Sequence, residues 1–74
     1  MAMTKAERAE RQRQQNAYFE PLFAGVHSWI EAYIEGGEDF TVTADLLAMK
    51  IRHEVPVMAL RRYCKRHGIK PEHC

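Results

Sequence analysis

The stretch Thr43–Ile69, TADLLAMKIRHEVPVMALRRYCKRHGI, decides the fold. Its apolar positions Leu46, Leu47 and Ile51 repeat with helical spacing, with Ala48 small enough for a close contact, so a helix is predicted from Ala44 to His53. Thr41 or Thr43 is placed to cap it. Pro56 pushes Val55 out of the helical region and can itself open a further helix to about His67. Leu60, Tyr63, Cys64 and His67 share one face of that helix, and Arg61, Arg62, Lys65 and Arg66 share the other. Gly68 then closes it, Ile69 gives the apolar contact that follows such a cap, and Pro71 prevents continuation.

Upstream, Leu22, Phe23, Val26, Trp29, Ile30, Tyr33 and Ile34 form one stripe of a 3.6-residue period. They predict a helix from Ala17 or Pro21 to Glu35, stopped by Gly36-Gly37. Glu38-Asp39 makes a polar connection, and Phe40-Thr41-Val42 reads as a short extended piece. Residues 1–16 hold almost no large apolar group, so they cannot bury a face and are expected to form a flexible charged tail, helical only on a partner. The division is thus a tail (1–16), a helical domain (17–70) and a C-terminal tail (71–74). The fold class is all-α, a compact three-helix domain around Leu22, Phe23, Trp29, Ile30, Leu47, Ile51, Leu60 and Tyr63.

Size and charge limit the function. Seventy-four residues form one small domain. A chain of this size buries only about 60% of the surface it exposes when unfolded, which argues against a deep catalytic pocket. No apolar run is long enough to span a bilayer, and no apolar stretch follows the N-terminal basic residues, so a soluble cytoplasmic protein is expected. The net charge is +1, but its distribution is uneven. Residues 17–45 carry six carboxylates and no Lys or Arg, while both flanks are net basic. That asymmetry points to a polyanion or an acidic protein surface as the partner of a basic end.

The pair of predicted helices resembles the helix-turn-helix of transcription regulators. Leu46-Leu47-Ala48 is similar to the body of the first helix of that motif, Leu60-Arg61-Arg62-Tyr63 to a recognition helix, and Lys65-Arg66-His67-Gly68-Ile69 to its ending. The resemblance implies DNA binding through Lys50, Arg52, Arg61, Arg62, Lys65 and Arg66. A helix fits the major groove, and Lys and Arg release counterions from phosphates. The sequence departs from the motif at the turn. The usual glycine is absent, Arg52 or His53 stands in its place, and the connection Arg52-His53-Glu54-Val55-Pro56 is about two residues too long for the motif. The helix start, Pro56-Val57-Met58-Ala59, offers nothing to hydrogen-bond a base edge.

In size, tail and charge pattern the chain is also similar to small bacteriophage proteins that bind bacterial RNA polymerase and inhibit transcription. That similarity implies a role for the tail cations Lys5, Arg8, Arg11 and Arg13 on an acidic protein surface, with Val57 and Met58 as an apolar anchor.

Chemistry has weaker support. Cys64 and His67, with His73-Cys74 beyond them, invite a zinc site, but His73 and Cys74 are adjacent at a chain end and there is no paired-knuckle spacing. Cys64 is expected to be a small buried residue, and His67 to sit at a helix C-terminus. There is no glycine-rich phosphate loop, and no carboxylate is placed to orient a Cys–His pair. A non-enzyme without cofactor or small-molecule substrate is expected.

Overall fold

The structure, a computed structural model, describes residues 2–71. It is all-helical among these residues, with four helices: α1 Lys5–Ala24, α2 His27–Glu35, α3 Phe40–Ile51 and α4 Val57–Arg66. No helix among them is long and apolar enough to cross a membrane. α4 lies against both α1 and α3, and α2 bridges α1 and α3.

Three expectations are corrected by local chemistry. The first concerns residues 5–16, which are the N-terminal part of α1 rather than a loose tail. Thr4 starts the helix with a capping box. Its hydroxyl accepts from the Glu7 N–H at 3.1 Å, and the Glu7 carboxylate accepts from the Thr4 N–H at 3.2 Å. Farther along, Phe19 and Phe23 bury and stack at 5.2 Å, which anchors the polar N-terminal part to the body.

The second correction is the break. Pro21 lies inside α1, and the chain stops being helical at Gly25 and Val26, so the stripe read as one helix is divided between α1 and α2. The Val26 N–H donates to Phe23 O, and Val26 O accepts from the Ile30 N–H to open α2. Periodicity survives a short break when both pieces face one core, which is why the stripe looked continuous.

The third correction is Phe40–Val42, which is the first turn of α3 and not an extended piece. The cap is Asp39, whose carboxylate accepts from the Val42 N–H at 2.8 Å. Thr43, expected as a possible cap, is fully buried, and its hydroxyl donates to Asp39 O at 2.7 Å.

The core is Phe19, Phe23, Ile30, Ile34, Ala44, Leu47, Val55, Ala59, Leu60, Tyr63, Cys64 and Ile69. Leu22 and Ile51 pack on it half-buried. Trp29, expected inside, is 48% exposed. Both helix endings on the α3–α4 side use a left-handed residue. At the end of α4, Gly68 takes φ 69°, and the Ile69 N–H reaches back to Cys64 O at 2.9 Å, the closure expected from the sequence. At the end of α3, Arg52 takes φ 53° and the His53 N–H donates to Ala48 O at 3.2 Å. The left-handed position thus falls at one of the two residues standing where the motif's glycine would be, and it is held by a side chain that strains there.

Candidate polyanion interface on α4

α4 buries Ala59, Leu60, Tyr63 and Cys64, so its remaining positions form one outward stripe. That stripe holds Met58, Arg61, Arg62, Lys65 and Arg66, and it divides into two halves with different partners.

On the half facing α1, the cations are paired. Arg62 Nη1 donates to Gln15 Oε1 at 2.7 Å. Arg66 Nη2 donates to Glu20 Oε2 at 2.8 Å, and His67 Nε2 donates to Glu20 Oε1 at 2.6 Å. The Arg66 guanidinium holds the Glu20 carboxyl below its ordinary value, with His67 adding to the effect. The His67 ring lies over Tyr63 at 4.1 Å between centroids. Tyr63 is buried, and its hydroxyl lies 2.6 Å from His27 Nδ1. His27 Nε2 is 3.1 Å from Glu31 Oε1, so the ring links the Tyr63 hydroxyl to that carboxylate. Burial raises the Tyr63 phenol further above neutrality, so it stays a hydrogen-bond donor.

On the other half the cations face a groove. An open groove of ≈ 360 Å³ has Phe40, Cys64 and Ile69 as apolar lining and Arg61, Lys65 and Lys70 as cations. No carboxylate lines it among the described residues. The Arg61 guanidinium lies over the Phe40 ring, 4.8 Å from its centroid. Arg61, Lys65 and Lys70 are all exposed.

The sequence-predicted cations are therefore dispersed. Arg61 and Lys65 stand at the groove, and Arg62 and Arg66 turn to α1. Lys50 sits on the α2 side, its Nζ 3.6 Å above the Trp29 ring. Arg52 is exposed at the α3 end. Lys5, Arg8, Arg11 and Arg13 are exposed along α1, with Arg13 3.3 Å from Glu10. Sequence reasoning missed Lys70, whose position just after the Gly68 closure was the available signal, and it missed Gln15 and Glu20. Nothing local marked those two, because their partners are more than forty residues away.

The zinc possibility meets two obstacles. His67 is bound to Glu20, and Cys64 is buried with its thiol pushed up to about 11 by burial. His73 and Cys74 lie outside the described residues, and among the described ones no group of three or more ligating side chains gathers. A thiol held this high stays protonated at neutral pH and is a poor nucleophile. In a Cys74→Ser background, the remaining Cys64 should react with a disulfide reagent at pH 8 far more slowly native than unfolded. Equal rates would contradict its burial.

Comparison with protein-family models, curated proteins and solved structures gives no match for this chain.

Proposed function

We propose that this chain is a small non-enzymatic cytoplasmic regulator of transcription that docks on DNA through the groove side of α4. The observation that carries this reading is the convergence of Arg61, Lys65 and Lys70 on one exposed surface with no carboxylate among its described lining residues. Such a surface attracts a polyanion by counterion release. The start of α4 presents Val57 and Met58, which have no donor or acceptor for a base edge, so the docking is phosphate-driven with little sequence preference. The expected signature is binding to mixed-sequence duplexes that weakens steeply with salt. Fluorescence anisotropy of a labelled duplex, titrated over a range of salt concentrations, checks this. An absence of binding at low salt would end the reading.

A second reading, inhibition of bacterial RNA polymerase by direct contact, is favoured by Met58. This side chain is 56% exposed on the same face as Arg61 and Lys65, giving an apolar anchor within a basic surface. Pull-down from bacterial lysate with and without nuclease separates the two. Polymerase subunits retained despite nuclease support the second reading, and capture lost on nuclease treatment supports the first.

A further inference from the structure

The largest exposed apolar side chains of the helical body do not all lie on α4. Val42 and Met49 are exposed on α3, Met49 at 72%, and the half-buried Leu46 lies between them at i+4 from Val42 and i−3 from Met49. Trp29 on α2 is half-exposed, tilted against Tyr33 at 5.9 Å and covered on one side by the ammonium of Lys50, the residue that follows Met49 on α3. A tryptophan and a methionine left open on helices that pack together, with Lys50 between their positions, are side chains of the kind that a contact surface uses.

The charges around these side chains say what covers them. Glu38, Asp39 and Asp45 lie at the N-terminal half of α3 or just before it, and Lys50 and Arg52 lie at its C-terminal end. All five are exposed. A partner of single-signed charge would be attracted at one end of α3 and repelled at the other. A second copy with its α3 antiparallel is attracted at both ends, and the two helix dipoles also oppose. A two-fold contact uses the same surface twice and so requires this self-complementarity.

We propose that the chain forms a two-fold dimer through α3, in the register that sets Asp45 opposite Lys50 of the second copy and Leu46 opposite its Met49. Trp29 then flanks the contact, beside the Lys50 that meets the incoming carboxylate. The basic groove side of α4 is not part of this surface, so the proposal stands apart from the docking reading above.

Sedimentation velocity on the full chain, from micromolar to hundreds of micromolar, tests it. The wild type is expected to pass from monomer to dimer over this range. Met49→Glu is expected to raise the dimer dissociation constant by about tenfold or more, since it charges an apolar contact. Asp45→Lys and Lys50→Glu should each leave a monomer by setting like charges opposite, and the double substitution D45K/K50E should restore the dimer. All three positions are exposed, so far-UV circular dichroism should show helix content unchanged. A wild type that stays monomeric throughout, a Met49→Glu protein that dimerises as the wild type does, or a folded double variant that remains monomeric would each overturn the proposal.

Discussion

The two halves of the α4 stripe are alike in sequence and opposite in use. Arg62 and Arg66 face α1, where Gln15 and Glu20 accept their hydrogen bonds. Arg61 and Lys65, one position before each, face a groove without a carboxylate among its described lining residues. One step along a helix turns a side chain by about 100°, which here separates a cation that fastens the fold from one that is free for a partner. A count of basic residues overstates the charge open to a partner, because part of it is already engaged within the chain.

The largest expected effect concerns what seats α1 against α4. Phe23 is fully buried and meets Tyr63 edge-on at 5.2 Å. Phe23→Ala is expected to cost about 3–5 kcal/mol of stability, from lost transfer free energy and the cavity left behind. Urea unfolding measures it. A cost under about 1 kcal/mol, the ordinary scale of a surface change, would mean that α1 does not pack on α4, and the distinction between the two halves would fail.

A smaller effect separates the halves directly. Arg62→Ala with Arg66→Ala is expected to destabilise by about 1–2 kcal/mol, since hydrogen bonds to charged groups are lost while much of that side remains in water. Arg61→Ala with Lys65→Ala should change stability by about 0.5 kcal/mol or less. Equal losses in the two double variants would erase the contrast.

Acid sharpens the same point. Glu20 ionises below its ordinary value of 4.5 because Arg66 and His67 bind its charged form. A carboxyl lowered in the folded state binds fewer protons there than in the unfolded chain. Its contribution is therefore complete above the ordinary carboxylate range and is lost as pH falls through the lowered value. Glu20→Gln should flatten the decline of stability below about pH 4.5. A decline identical to that of the wild type would remove Glu20 from the α1–α4 fastening.

The smallest effect lies at the end of α3. Arg52 holds a left-handed conformation that glycine takes without strain. Arg52→Gly is expected to gain up to about 1 kcal/mol in thermal unfolding. It should leave DNA binding nearly unchanged, because Arg52 does not line the groove. A strong loss of binding would extend the docking surface to the α3–α4 connection.

Much of α3 and α4 was legible because their signals are local: the Leu47 periodicity, the proline at 56 and the Gly68-Ile69 closure all act within a few residues. The N-terminal half was less so. Thr4 and Glu7 form a capping box at the ordinary spacing, but with no apolar run close behind it the segment read as a tail. Its anchors, Phe19 and Phe23, come a dozen or more residues later, and Phe23 falls in the apolar stripe that continues into α2. Trp29 illustrates a different limit. Its place in the apolar stripe predicts burial, and only the arrangement of α2 against α3 shows that it lies at the margin under Lys50. The division of the α4 cations depends on Gln15 and Glu20, which are distant in sequence, so no local pattern could assign it.

Duplex binding by the two double variants, measured side by side across salt, tests the central claim most directly. The account predicts that Arg61→Ala with Lys65→Ala lowers the slope of log affinity against log salt by about 2, roughly 0.9 for each phosphate contact removed. Arg62→Ala with Arg66→Ala should leave the slope near that of the wild type, provided the protein is folded at the temperature used. The reverse pattern, with the slope set by Arg62 and Arg66, would place the docking surface on the α1 side and contradict the account.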